Sequence, residues 1–188
     1  DLGYETTCNI MAISQIGADN LREALEMLCE TPVDIIYIVD SYGSLYPENI
    51  EKYSKMYLEY ANKSNKQIGI HAHNNQNLAF ANTIEALSYG VSYLDSTVQG
   101  MGRGAGNCAS ELLLGFLRNP KYSLYPLLTF IEDYMVPLKE SGVVWGYDLQ
   151  YLFTGQLNRH PRSAIKFTNE KRKDYCDFYK DLLDDSVF

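Results

Sequence analysis

Ile35-Ile36-Tyr37-Ile38-Val39 is an unbroken apolar run, the pattern of a parallel strand buried on both faces. A strand of that kind cannot stand alone, because it needs neighbouring strands at its edges and helices over its face. With Asp34 and Asp40 at its ends it forms one of several similar segments. The others are Thr6 to Ile13 (TTCNIMAI), Gln67 to His73 (QIGIHAH) and Tyr93 to Gly100 (YLDSTVQG). Helical periodicity falls between them. In Asp19 to Glu30, Leu21, Ala24, Leu25 and Leu28 share a face, with Asp19 as the expected N-cap. Pro47 suits the first turn of the next helix, where Ile50, Tyr53, Tyr57 and Ala61 continue one stripe. A third pattern runs from Leu78 to Tyr89 and is closed by Gly90. This alternation predicts an α/β fold with right-handed crossovers and a parallel sheet.

The βα units occupy residues 1–119 of 188, and a complete eight-stranded barrel typically takes ~250 residues. The remainder, 120–188, begins at Pro120 and contains an apolar helix pattern from Leu124 to Ser141. It ends in an aromatic and charged tail, so a C-terminal helical extension is expected. A net charge of −8 argues against nucleic acid and anionic membrane surfaces as partners. No stretch approaches the ~18 consecutive apolar residues of a membrane helix. Cys8, Cys29, Cys108 and Cys176 are scattered with no Cys-x-x-Cys pair, which reads as a reducing, cytoplasmic setting.

The chemistry is concentrated in His71-Ala72-His73-Asn74-Asn75. Residues two apart on a strand point to the same face, so Gln67, Gly69, His71 and His73 lie together and Ile68, Ile70 and Ala72 oppose them. The second set suits a core under helices. The first suits a site opening at the C-terminal ends of the strands, where α/β active sites sit. Two imidazoles at that spacing can share one metal at ~2.0–2.1 Å, although a pair of hydrogen-bonded histidines fits the spacing equally well. The two amides that follow form a costly polar cluster unless they have partners, which favours the metal. A second unusual segment ends the next strand: Gly100-Met101-Gly102-Arg103-Gly104-Ala105-Gly106-Asn107. Alternate glycines let backbone approach a ligand and can form an anion-binding nest. A dinucleotide site is disfavoured, since no acidic ribose partner follows a further strand. For Asn107 itself, an N-cap of the helix carrying Leu112, Leu113, Phe116 and Leu117 is the favoured reading.

HAHNNQNLAFAN, followed one βα unit later by GMGRGAGN and preceded by VDSYGSLYP, resembles the 4-hydroxy-2-oxovalerate aldolase branch of the HMG-CoA lyase-like, metal-dependent barrels. The likeness runs from about Cys8 to Leu117 and rests on the ordered combination of the motifs. It implies the C-terminal half, strands 5–8, of a (βα)8 TIM barrel. It also implies a divalent metal ion (Mn, Mg, Co or Zn) held by His71 and His73, with Asn107 completing the shell as in some relatives. Ser41 matches a serine that contacts the substrate carboxylate; the bland reading is a turn hydroxyl. Asp40 lies on the substrate side, orienting a ligand histidine or satisfying loop N–H groups. Tyr151, then Tyr147, partly match a C-terminal tyrosine acid, with packing of the tail as the plainer reading. His160 reads as a solvated loop histidine. The family's first-strand Arg-Asp motif and its base histidine have no match in this sequence.

The implied reaction is cleavage of a 4-hydroxy-2-oxo acid to pyruvate and an aldehyde through a metal-stabilised enolate. No lysine ends a strand, so a Schiff-base aldolase is disfavoured. The alternatives are an acyl-CoA-dependent 2-oxo acid condensing synthase of the same superfamily, and a non-catalytic half barrel that needs a partner. The expected partners are a small 2-oxo acid substrate, further copies in a homo-oligomer, and an acylating aldehyde dehydrogenase as in family members. The aromatic tail with Phe167, Tyr175, Phe178 and Tyr179 departs from the region through which those aldolases dock.

Overall fold

The computed structural model describes residues 2–119 and 121–184, so Pro120 lies outside the described residues. Its centre is a parallel sheet in the order β1 (Thr7–Ile10), β2 (Ile35–Asp40), β3 (Gln67–Ala72), β4 (Tyr93–Leu94). The register pairs Tyr37 with Gly69 and Val39 with His71. Helices α1 (Ala18–Cys29), α2 (Pro47–Ser64) and α3 (Ala79–Ser88) connect successive strands, and α4 (Ser110–Leu117) follows the last.

The even and odd positions of β2 show why both faces are apolar. Ile36 and Ile38 join Ile68, Ile70 and Ala72 beneath Leu21 and Leu25 of α1 and Ile50, Tyr57 and Ala61 of α2. Ile35, Tyr37 and Val39 form a smaller cluster on the opposite face, against Tyr93. Each fully buried large aliphatic side chain of the outer set contributes roughly 1.5–3 kcal/mol of transfer free energy. The inner face is the interior of a half barrel, with β1 and β4 as its open edges.

Gly69 decides how that inner face is built. A Cβ there would meet Tyr37 Cζ at 2.4 Å, so the glycine leaves room for the tyrosine ring to lie across β3.

The outer strands are shorter than their patterns suggest. β1 stops at Ile10; Ala12 is left-handed (φ 51°), and Ile13–Gln15 is a 3-10 turn. The Ala12 N–H donates to Ser41 Oγ at 2.8 Å, which takes this backbone out of the ladder. β4 stops at Leu94, although the Asp95 N–H still reaches the Ile70 carbonyl at 3.0 Å. Val98–Gly100 then turns as a 3-10 segment around a left-handed Gln99. The Asp19 cap is corrected: α1 starts after Gly17, and Asp19 sits in its first turn.

Beyond α4 the chain is helical, as expected. The Leu124–Ser141 pattern becomes α5 (Tyr125–Phe130), a π turn (Ile131–Met135) and α6 (Val136–Glu140). Pro137 is the physical reason: it lacks an N–H and its ring excludes an ordinary helical carbonyl. The Val136 N–H reaches back to Ile131, widening the turn ahead of it. Then α7 (Leu149–Gln156), α8 (Arg162–Asn169) and α9 (Tyr175–Asp184) enclose a second apolar cluster of Tyr151, Ala164, Phe167, Phe178 and Leu182. Asp148 caps α7, its Oδ1 accepting the Leu149 N–H at 2.8 Å. No helix among the described residues is long and apolar enough to cross a membrane.

Candidate metal-binding site

His71 and His73 face the same side at the C-terminal end of β3, with ring centroids 5.1 Å apart and planes at 79°. They line a cleft of about 380 Å³ together with Asn9, Met11, Val39, Ser41, Asp95 and Arg103. His71 Nδ1 lies 3.1 Å from Asp95 Oδ2. The His73 imidazolium is disfavoured by burial first, then by His71 and the Arg103 guanidinium. Together they hold its pKa down to about 4 against the pull of the Gly106 carbonyl. A neutral ring with one nitrogen facing a fixed acceptor is the form in which histidine binds a metal. The pair therefore fits as part of a ligand set. Among the described residues no group of three or more His, Cys, Asp or Glu side chains could hold an ion by itself.

The other expected residues are distributed differently. Ser41 lines the cleft, but its Oγ accepts the Ala12 N–H, and its carbonyl accepts from Arg103 Nη2 at 3.2 Å. Asp40 is buried and faces its own loop, accepting N–H bonds from Ser44 at 3.0 Å and Leu45 at 3.1 Å. Of the readings offered for Asp40, the loop-holding one describes its contacts. Its burial outweighs those bonds and raises its pKa to about 6.

Asn107 bridges by backbone to His73, yet its side chain lines the neighbouring cleft with Asn74, Gln99, Lys139 and Trp145. Its Nδ2 donates to the Met101 carbonyl at 3.1 Å, and its buried Oδ1 has no hydrogen-bond partner among the described residues. The helix-cap reading of Asn107 is corrected, because Ala109 is the N-cap of α4. Tyr151 is buried in the C-terminal cluster with its hydroxyl 3.4 Å from Thr168 Oγ1, and Tyr147 is exposed; neither lines the cleft. His160 packs edge-on to Tyr42 at 5.3 Å, and its Nδ1 accepts the Arg162 N–H.

The amides after the histidines have structural partners. Asn75 Nδ2 donates to the Tyr151 carbonyl and Thr154 Oγ1, both at 3.3 Å, pinning α7 to the sheet. Asn74 Oδ1 accepts the Ala79 N–H at the start of α3. The glycine loop is likewise occupied by its own backbone: the N–H groups of Gly100, Met101, Gly106 and Asn107 all bond protein carbonyls. Asn9, Asp95 and Arg103 are the polar cleft residues to which sequence reasoning gave no role. Asp95 was within reach, since it shares the inward parity of Tyr93 in β4.

The two shifted groups predict opposing pH dependences of stability in the metal-free protein. Between about pH 6.5 and 4, unfolded His73 takes up a proton that the folded state refuses, so stability falls with acidification. Between about pH 6 and 3.8, folded Asp40 takes up a proton before the unfolded chain does, so stability rises with acidification. Each contributes at most ~1.4 kcal/mol per pH unit, and they largely cancel. Denaturant unfolding from pH 4 to 7 should therefore show stability rising toward acid in His73→Gln and falling toward acid in Asp40→Asn, each relative to wild type. Parallel curves for all three proteins would contradict both assignments.

A parallel half barrel with polar side chains gathered at the carboxyl ends of its strands is a frame on which α/β active sites are built. The HMGL-like family model matches residues 1–125, and the chain belongs to that family. It is 28% identical over 183 residues to a 4-hydroxy-2-oxovalerate aldolase of Bacillus thuringiensis, covering 92% of this chain and 52% of that protein. It is 35% identical over 116 residues to an oxaloacetate decarboxylase of Mycobacterium tuberculosis, covering 62% of this chain and 34% of the other. Among solved structures it resembles the N-terminal domain of a Bacteroides vulgatus protein assigned as an aldolase. There the TM-score is 0.75 at 27% identity, over 88% of this chain and 55% of that one. The chain thus spans about half the length of relatives such as the Bacillus aldolase.

Proposed function

We propose that this chain supplies the histidine half of the metal site in a lyase that cleaves a 4-hydroxy-2-oxo acid to pyruvate and an aldehyde. The observation that carries the reading is the His71–His73 pair, co-facing at 5.1 Å on an open cleft, with His73 held neutral. A divalent ion bound there would act as a Lewis acid on the 2-oxo oxygen. Arg103 brings a guanidinium to the same cleft, where it suits the substrate carboxylate. Val39 and Met11 give the cleft an apolar wall for the carbon chain.

The exposed apolar side chains Met27 on α1 and Leu112 and Phe116 on α4 support pairing of this half barrel with the complementary part of a barrel. The likeness to an oxaloacetate decarboxylase favours a second reading, in which the carbon lost is carbon dioxide and the enolate formed is the same.

The test is pyruvate release by the intact protein from 4-hydroxy-2-oxopentanoate and from oxaloacetate, before and after chelation. Chelator-sensitive release with an aldehyde product supports the first reading, and release from oxaloacetate alone supports the second. Chelator-insensitive cleavage would sink both.

A further inference from the structure

We propose that Asp95 is a positioning residue for His71: it fixes the ring in the tautomer that carries the proton on Nδ1 and offers Nε2 to the cleft. A carboxylate oxygen can only accept, so the nitrogen 3.1 Å from Asp95 Oδ2 must be the one that bears hydrogen. A neutral imidazole then has its lone pair on the other nitrogen, the one left available to a ligand. The ring cannot flip without placing a bare lone pair, or a C–H, against the carboxylate.

Asp95 is itself held by the backbone. Its N–H bonds the Ile70 carbonyl at 3.0 Å, which keeps it in register beside β3 after β4 has formally ended. On the inner face Tyr37 lies close enough to Asp95 that burial together with that carboxylate pushes the tyrosine up to about 12. Tyr37 can lie there because Gly69 has no Cβ, the nearest ring atom being 2.4 Å from where one would be. Gly69 and His71 on β3, Tyr37 on β2 and Asp95 just after β4 are thus neighbours on one face, and among the described residues Asp95 is the side chain that meets His71 Nδ1. Carboxylate–histidine pairs of this kind raise ligand basicity and typically change metal affinity by ~10–100-fold.

The affinity part of the inference rests on the reading of the pair as metal ligands; the tautomer part does not. The experiment is a two-bond proton–nitrogen correlation spectrum of the intact, metal-free protein with labelled histidine, assigned against His71→Gln, followed by Mn²⁺ titration. Wild-type His71 is expected as the Nδ1–H tautomer. In Asp95→Asn, whose amide can donate as well as accept, the Nε2–H form should appear and Mn²⁺ affinity should fall ~10–100-fold. The His73 and His160 signals should stay in place. Tyr37→Phe, which keeps the ring over Gly69, should retain the tautomer with a smaller loss of affinity. An Nε2–H His71 in the wild type, or an Asp95→Asn variant with unchanged tautomer and affinity, overturns the proposal. Failure of the wild type to bind Mn²⁺ while His71 is Nδ1–H would instead overturn the metal reading and leave the positioning role standing.

Discussion

Replacing His71 with alanine should lower kcat/KM for a 4-hydroxy-2-oxo acid by about 10³-fold while leaving the fold intact. A Lewis acid at the substrate oxygen supplies several kcal/mol of stabilisation to developing negative charge, and about 4 kcal/mol corresponds to that factor. The fold should survive because the His71 side chain is 26% exposed and faces the open inner cleft rather than the core beneath α1 and α2. His160→Ala is the comparison. That ring sits on a turn beside Tyr42 and does not line the cleft, so the rate should stay near wild type. Steady-state kinetics with saturating Mn²⁺ measure both. Equal losses in the two variants, or a His71→Ala enzyme with wild-type kcat/KM, would count against the site as drawn.

The second large effect is on stability. Gly106 is left-handed (φ +82°), and a Cβ on it would lie 2.1 Å from the Gly100 carbonyl oxygen. That oxygen accepts the Asn107 N–H at 3.0 Å, so the clash is with backbone already fixed by its own hydrogen bond. The Gly106 carbonyl in turn accepts the Asn74 N–H at 2.8 Å, immediately after the histidine pair. Overpacking costs ~1–3 kcal/mol and left-handed alanine adds ~1, so Gly106→Ala should lose about 3 kcal/mol. For a chain of this size that lowers Tm by roughly 6–12 °C. Gly115→Ala in α4, where a Cβ meets nothing within 4 Å, should be neutral or stabilising by roughly 0.5–1 kcal/mol. Calorimetry on the two variants separates a steric effect from a general intolerance of glycine replacement.

Legibility in the sequence followed burial. β2 and β3 lie close to where their apolar runs place them, because a strand with helices on one face and a packed inner face on the other leaves little freedom in register. β1 and β4 were overextended: at the open edges, local bonds such as Ala12 to Ser41 outcompete the ladder, and no alternation pattern records that. The helical nature of the tail was readable from its periodicity, but the π turn ahead of Pro137 was not, since it depends on where one missing N–H falls.

At the site, period two put His71 and His73 on one face. It would equally have placed Asp95 beside them had β4 been read residue by residue. The amides were misjudged for a physical reason. Asn74 is satisfied by the start of α3, five residues on, but Asn75 is satisfied by α7, 76 and 79 residues away, and that distant partner cannot be seen from local composition. Tyr151 illustrates the converse: its motif context suggested chemistry, and its burial against Thr168 and Phe167 is packing.

The central claim is that His71 and His73 hold a divalent ion together. Anomalous diffraction from crystals of the intact protein soaked in Mn²⁺ tests it most directly. The account predicts a single strong peak in the cleft within ~2.0–2.3 Å of one nitrogen of each ring, with Asp95 still on His71 Nδ1. A peak elsewhere, or none between the two rings at saturating Mn²⁺, would contradict it.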